Sequence, residues 1–312
     1  MPELPEVETI CRGLAPSILK QKIAAVVIRH FKLRHPIPKN LPKILTGQSI
    51  QKITRRGKYI LIKFLTTPGV WTPGLSKGGE LRLSPLGNPP IALSRGKPRE
   101  INLKAKIGTL IIHLGMSGNL QIKPKNHLIA KHEHVNIVFT NNLSLCYTDP
   151  RRFGTILWTT ENPLEHRLLK NLGPEPFAKN FTADYLFNTA KSRHCSIKQF
   201  IMNSNIVAGI GNIYANEALF AAKINPLQKA NKISLSRYQK LVKEIKKILK
   251  HAIKHGGTTI KNHIDSSGKK GSFQNKLKVY GKYNQLCPNC KTKLTHTKLG
   301  QRATVFCSNC QK

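Results

Sequence analysis

Acidic residues are scarce in this chain of 312 residues, which holds 14 Asp and Glu against 52 Lys and Arg and has a formal net charge of +38. A surface so poor in carboxylates attracts polyanions, so nucleic acid is the expected partner. Long apolar runs are also missing, and neither end carries a basic amphipathic anchor, so we expect no membrane partner. Residues 2–9 are acidic and proline-bearing, unlike the basic start of a secretory signal, and we therefore expect a cytoplasmic protein.

The seven cysteines do not form the even, regularly spaced set of a disulfide framework. Four of them make two pairs, Cys287-x-x-Cys290 and Cys307-x-x-Cys310. Two such pairs are typical of a closed tetrahedral site, so the sequence predicts one structural Zn²⁺; four free thiols are the less favoured alternative. The other three are interpreted as ordinary buried or half-buried thiols: Cys11, Cys146 and Cys195.

Hydrophobic patterning divides the chain into three parts. Residues 1–160 begin with an amphipathic helix, which Pro16 should end or kink, and continue with runs rich in β-branched and aromatic residues that predict a mainly β domain. The proline- and glycine-rich stretch 66–108 predicts an irregular inserted loop. Helical periodicity dominates residues 161–279, and residues 280–312 form a compact cysteine-bearing module.

The N-terminus reverses the charge of the rest of the chain, because Glu3, Glu6 and Glu8 precede its first basic residue. Acids favour the first turn of a helix, which explains Glu6 and Glu8 but not Pro2 and Glu3, since these precede the helix. Removal of Met1 would leave Pro2 as a secondary amine with a reference pKa of about 8, against about 10.4 for lysine. Such an amine can attack an aldehydic carbon while a nearby carboxylate moves protons. Pro2 is therefore a candidate nucleophile, on condition that Met1 is removed.

Nine segments together resemble the bacterial formamidopyrimidine-DNA glycosylases, in the order of that family and over nearly the whole chain apart from 66–108. They are PELPEVET (2–9), RRGKYI (55–60), HLGMSG (113–118), YTDPRRFG (147–154), LGPEP (172–176), GIGNIYANEALF (209–220), GGTT (256–259), VYGK (279–282) and QRATVFCSNCQK (301–312). The resemblance implies an α+β multidomain fold: an N-terminal β-sandwich with flanking helices, a helix-two-turns-helix domain and a C-terminal zinc-finger β-hairpin. It implies a bifunctional glycosylase and AP lyase that removes 8-oxoguanine and formamidopyrimidines from double-stranded DNA in base excision repair. We expect it to act as a monomer.

The resemblance also implies catalytic roles. Pro2 attacks the deoxyribose C1′ and holds the sugar as a Schiff base, Glu3 serves as acid and base in ring opening, and Glu6 supports the site and the flipped base. Lys58 is a second catalytic amine. Arg302 is linked to the δ-elimination step, so that the strand is cut on both sides of the lost sugar. Without the resemblance, Lys58 would be one more cation on a solvated turn.

A wedge that fills the space left by an extruded base is implied at Met116, Arg151 and Phe153. Met and Phe are suitable apolar wedges, and Arg151 would face the orphaned partner base. The sequence alone favours core positions for Met116 and Phe153.

Contacts to DNA, chiefly to backbone phosphates, are implied at His132, Arg193, Lys198 and Asn212. Asn212 opens a predicted helix, where free amides attract a phosphate; its alternative role is the N-cap of that helix, and the two are compatible. The segment 261–276 matches the loop that covers the flipped base.

Two other functions stay open. An endonuclease VIII type of glycosylase shares Pro2, Glu3 and the zinc finger but prefers oxidised pyrimidines; the wedge of Met116, Arg151 and Phe153 favours the purine enzymes. A non-enzymatic zinc-ribbon protein could use the basic surface alone, yet it gives no reason for the acidic N-terminus or for Lys58.

Overall fold

The computed structural model describes residues 1–65, 108–258 and 271–312. The predicted inserted loop therefore lies almost wholly outside the described residues, as does the part 261–270 of the predicted lesion-covering segment. The helices are α1 (Leu4–Ile18), α2 (Leu41–Leu45), α3 (Ala183–Ala190), α4 (Ile197–Met202), α5 (Asn212–Ala222) and α6 (Leu235–Lys254). The strands are β1 (Ile23–Ile28), β2 (Ser49–Arg56), β3 (Tyr59–Leu65), β4 (Gly108–His113), β5 (Asn119–Pro124), β6 (Glu133–Phe139), β7 (Leu143–Thr148), β8 (Thr155–Thr159), β9 (Thr295–Leu299) and β10 (Arg302–Phe306).

Two four-stranded antiparallel sheets, with strand orders β1-β6-β7-β5 and β2-β3-β4-β8, make up the N-terminal part. Their inner faces share one core, in which Ile60, Ile62 and Leu110 of one sheet are buried together with Ile137 and Leu145 of the other. Because side chains alternate across a strand, every second residue contributes to this apolar layer. The predicted β-sandwich is confirmed.

Helix α1 packs on the sandwich core through Val7, Ile10 and Leu14, as their spacing predicts. The sequence predicts an end or a kink at Pro16, but the helix continues to Ile18. Ile18 is fully buried, and its packing holds the last turn although Pro16 cannot donate a hydrogen bond there.

Helices α3 to α6 enclose a second core. Helix α5 is buried on nearly all sides, whereas α6 buries one face through residues such as Tyr238, Ile245 and Leu249. The predicted helical domain is confirmed, while its boundaries at residues 161 and 279 stay predictions. Among the described helices, none is both long and apolar enough to cross a membrane.

The N-terminus joins this second core. Leu4 is buried among the helical residues, and its backbone N–H donates to the Gly209 carbonyl oxygen at 3.0 Å. Gly209 has φ +88°, and a Cβ there would lie 2.8 Å from Leu4, so this close approach requires glycine. The first residues of the chain are thereby fixed at the start of α5.

Strands β9 and β10 form the C-terminal hairpin. Its small core contains Phe220 of α5 with Val279, Leu294 and Val305, packed around the paired cysteines. The predicted zinc-finger hairpin is thus confirmed as a fold, and α5 connects it to the N-terminus.

Candidate active site

A cavity of about 460 Å³ lies where the N-terminus, the β2–β3 turn, the start of α5 and the β10 strand meet. Its lining includes the predicted catalytic and supporting residues, which are Pro2, Glu3, Glu6, Lys58 and Arg302. Lys58 and Arg302 are far from the three N-terminal residues in the sequence, so only the fold could bring them to the same cavity. The volume is in the range of small-molecule sites.

Glu3 is 3% exposed, and its carboxylate accepts backbone N–H bonds from Gly211 (2.7 Å), Ile213 (2.9 Å) and Tyr214 (3.4 Å). It therefore satisfies the free donors at the start of α5. The alternative that Asn212 is the N-cap is wrong, because Gly211 holds that position and Asn212 is the first helical residue. Burial raises the pKa of Glu3, while the charge of Lys58 lowers it.

Glu6 joins three parts of the chain. Its carboxylate accepts hydrogen bonds from the Glu3 N–H (2.9 Å), the Tyr214 hydroxyl (2.6 Å) and the Thr258 N–H (2.7 Å). Sequence reasoning missed this role of Tyr214, whose ring is buried while its hydroxyl orders Glu6. A buried tyrosine needs a partner for its hydroxyl, and that was the available signal.

Lys58 occupies a tight turn after Gly57, which has φ +56°. Glu175 anchors this turn by accepting the Gly57 N–H at 2.6 Å and the Arg56 guanidinium at 3.1 Å. Burial lowers the pKa of Lys58, whereas the charge of Glu3 raises it. The lysine lines the cavity and is partly buried, so the solvated-turn alternative is wrong.

Pro2 is buried, whereas Met1, which precedes it in the chain, is 46% exposed. Burial lowers the pKa of the terminal amine of Met1, although Glu3 and Glu6 raise it. Pro2 lines the same cavity, so removal of Met1 would leave its amine close to the carboxylates of Glu3 and Glu6.

Met116 and Phe153 are 40% and 44% exposed, so the alternative that they are core residues is wrong. The Arg151 guanidinium carbon lies 4.6 Å from the centre of the Phe153 ring, a cation–π contact. Met116 and Arg151 line the cavity. The three predicted wedge residues are therefore exposed on two loops beside the candidate site.

Asp149 organises both of these loops, and sequence reasoning missed it. It is fully buried and accepts hydrogen bonds from the Ser117 hydroxyl (2.6 Å), the Tyr147 hydroxyl (3.0 Å) and the Gly154 N–H (2.8 Å). An aspartate between Thr148 and Pro150 is a common turn residue, so the sequence carried no signal that it holds a second loop.

Lys198 is 1% exposed, and its ammonium donates to the Ala303 carbonyl oxygen at 2.8 Å and to the Thr304 hydroxyl at 2.7 Å. Burial lowers the pKa of Lys198 to about 8. Lys198 thereby connects α4 to the β9–β10 hairpin at the two residues that follow Arg302. A contact between Lys198 and a phosphate stays a prediction.

The other three predicted phosphate contacts differ in exposure. His132 and Arg193 are exposed, whereas Asn212 is half-buried and lines the cavity together with Tyr280. Tyr280 belongs to the VYGK segment but was not singled out by sequence reasoning. Its place beside Asn212 depends on Glu217, which accepts the Tyr280 N–H at 2.8 Å.

Beneath His132, the buried Glu133 accepts hydrogen bonds from Lys123 (2.9 Å), His127 (2.9 Å) and Asn136 (2.8 Å). Burial by itself would raise the pKa of Glu133, but these donors outweigh it and lower the pKa to about 2. These hydrogen bonds stabilise the loop between β5 and β6, which ends at His132.

The four cysteine sulfurs of the C-terminal module lie within 4.8 Å of one another. Cys290 and Cys307 are 3.4 Å apart and Cys287 and Cys310 are 3.9 Å apart between their Sγ atoms. Tetrahedral Zn–S bonds of about 2.3 Å put sulfurs about 3.8 Å apart, so the cluster fits one structural zinc ion. The ion would hold the hairpin that carries Arg302.

Two of the three remaining cysteines are buried as predicted, but Cys195 is exposed, so that part of the interpretation is wrong. Cys195 lies in the turn before α4.

Replacing Cys307 by Ser should abolish tight zinc binding and unfold the hairpin, because its core is too small to be stable without the ion. Loss of the hairpin would also displace Arg302 and the groups that accept hydrogen bonds from Lys198. Metal analysis and the thiolate absorption of the Co²⁺-loaded protein would measure the site. Cys195→Ser is the matched control; a Cys307→Ser protein that still binds one zinc ion with thiolate absorption unchanged would contradict the assignment.

Three family models match the chain. The Formamidopyrimidine-DNA glycosylase N-terminal domain matches residues 1–156, the Formamidopyrimidine-DNA glycosylase H2TH domain matches residues 172–263, and the zinc finger found in FPG and IleRS matches residues 284–312. Among curated proteins, the formamidopyrimidine-DNA glycosylases of Nitrosococcus oceani and Pseudomonas entomophila are 43% and 45% identical, with 100% of both chains covered in each case.

Solved structures agree. Wild-type Lactococcus lactis Fpg in complex with DNA containing N7-benzyl-Fapy-dG has a TM-score of 0.80 at 32% identity, and the same protein with DNA containing an oxidised pyrimidine has 0.80 at 31%. Each comparison covers 100% of both chains. With family models over most of its length and relatives above 40% identity across all of it, the chain belongs to the formamidopyrimidine-DNA glycosylase family.

Proposed function

We propose that this protein excises oxidised purines from double-stranded DNA and then cleaves the abasic strand by β,δ-elimination. The convergence of Pro2, Glu3 and Lys58 on one cavity carries the proposal. Two exposed wedge loops beside that cavity support extrusion of a base from the duplex.

Chemistry would begin at the unmasked Pro2 nitrogen, which forms a bond to C1′ while the bond between C1′ and the damaged base breaks and the base leaves with a proton. Glu3, with its raised pKa, can then donate a proton to the ring oxygen as the C1′–O4′ bond opens and the iminium forms. Lys58, which lines the same cavity, would act as a second amine.

Strand cleavage would follow from the iminium. Loss of a C2′ proton expels the 3′ phosphate, and a second elimination expels the 5′ phosphate. Arg302 lines the cavity and can stabilise the phosphate that leaves. The zinc ion would take no part in these steps and would only keep the hairpin in place. We further propose that the enzyme acts as a monomer in the cytoplasm.

Recognition of the lesion would depend on the wedge. Met116 and Phe153 can enter the base stack, and Arg151 can present forked donors to the acceptors of the orphaned cytosine. His132, Arg193, Lys198 and Asn212 are the proposed phosphate contacts.

Borohydride trapping tests the function directly. Duplexes that carry 8-oxoguanine or an oxidised pyrimidine are incubated with the protein, and reduction converts the iminium to a stable adduct. We expect an adduct with 8-oxoguanine DNA in clear excess. An adduct only with the pyrimidine duplex would favour the endonuclease VIII type, and no adduct with either would refute the enzyme.

A further inference from the structure

Helix α6 carries a row of five exposed lysines, called here the lysine stripe: Lys240, Lys243, Lys247, Lys250 and Lys254. Their spacing alternates between three and four residues. At about 100° per residue, all five fall within an arc of about 80° on the helix surface. The stripe is therefore a straight line of positive charge and not a scatter of surface cations.

The stripe faces away from the candidate active site. The buried face of α6, which includes Leu241, Ile245 and Leu249, packs toward α5 and lies about 180° from the stripe. The start of α5 lines the cavity through Asn212 and Ile213, and no residue of α6 does. A duplex bound at the cavity would thus leave the stripe uncovered.

Acidic groups do not neutralise the stripe within the described part of the chain. None of the ion pairs there involves any of its lysines. Glu244 is the one acidic residue of α6, against five lysines in the stripe. Like charges spaced about 5 Å apart along a helix repel one another, so a bound polyanion would relieve that repulsion.

Shape and composition select the type of polyanion. No large apolar side chain of α6 is exposed, so the stripe lacks the anchors of a protein interface and the apolar face of a membrane-bound helix. It is about 21 Å long, a length over which duplex DNA presents about 12 phosphate charges. A rigid linear polyanion fits a rigid linear stripe.

We propose that the lysine stripe binds a second segment of duplex DNA while the first segment occupies the cavity side of the protein. This second contact lets the protein pass directly from one DNA segment to another during its search. It requires no chemistry and goes beyond the excision reaction.

Transfer kinetics test the stripe. The protein is loaded on a labelled duplex with a tetrahydrofuran abasic analogue, and its release is followed by stopped-flow fluorescence at rising concentrations of unlabelled duplex. In the wild type, the release rate should rise with competitor concentration, because the second duplex binds before the first leaves. Replacement of all five stripe lysines by Gln should reduce that slope by about fivefold or more.

The matched control replaces five exposed lysines elsewhere by Gln, so that the net charge falls equally: Lys22, Lys39, Lys43, Lys52 and Lys170. The control should keep the wild-type slope. Gln preserves helix propensity, and single-turnover excision on a short duplex should stay within about twofold for both variants. Equal slopes in the stripe and control variants, or a flat wild-type response, would overturn the proposal. Because release is measured without base excision, failure here is distinct from failure of the glycosylase.

Discussion

Protein from which Met1 has been removed should trap as a borohydride adduct at least about 1000-fold faster than protein that retains Met1. With Met1 in place the Pro2 nitrogen is an amide and cannot attack C1′. The Met1 amine does lie near Glu3 and Lys58. The Met1 amine lies, however, one residue away from the position of the Pro2 nitrogen. A shift of about 1 Å from the reactive position already lowers the rate about 100-fold.

The two forms can be made from one gene, by expression with and without inhibition of methionine aminopeptidase, and mass spectrometry distinguishes them. They differ in nothing but the terminal residue, so each is the control for the other. Pro2→Gly, with Met1 removed, should also trap far more slowly, since a primary glycine amine is more mobile than the proline ring. If Met1-retaining protein and Pro2→Gly both trapped at the wild-type rate, Pro2 would not be the nucleophile.

Glu3→Gln should lower single-turnover excision by about 10²–10⁴-fold, the usual contribution of a positioned acid or base. Gln cannot donate an acidic proton to the ring oxygen. Its amide group would also face the backbone donors of Gly211 or Ile213, where the carboxylate now accepts. Binding of a duplex with an abasic analogue should change much less than the rate.

The pH profile separates a catalytic role for Glu3 from a merely structural one. Burial raises the pKa of Glu3, so wild-type activity that needs the protonated carboxyl should fall as pH rises through that value. This limb should be absent from the residual activity of Glu3→Gln. Glu165→Gln, which removes a charge from an exposed glutamate, should behave as wild type. Glu3→Gln activity within tenfold of wild type, with the limb intact, would rule out the acid role.

Short sequence patterns predicted much of the architecture, because a helix face or a cysteine pair depends on residues that are close together in the sequence. The zinc site could be predicted because a short hairpin is enough to bring the two cysteine pairs together. The four sulfurs do lie within 4.8 Å of one another. The apolar faces of α1 and α6 follow from their helical periodicity. Helix α1 extends two residues past Pro16 and ends at the buried Ile18.

Contacts between distant parts of the chain were beyond local patterns. Exposure of Met116 and Phe153 depends on Asp149, which holds their loops from inside the sandwich. Burial of Lys198 depends on the hairpin, about 100 residues later. An aspartate in a turn and a lysine on a helix have the same local sequence whether solvent or protein covers them.

By itself, the sequence determined the family, the order of the domains along the chain, the zinc ligands and the unusual acidic N-terminus. The tertiary structure alone decided that Glu3 caps α5, that Tyr214 orders Glu6 and that Lys58 shares their cavity. The physical reason is that a carboxyl or an amine acquires its shifted pKa from burial and from charges that belong to other segments. The sequence specifies residue types and their spacing, whereas the burial and the neighbouring charges of a side chain exist only in the folded protein.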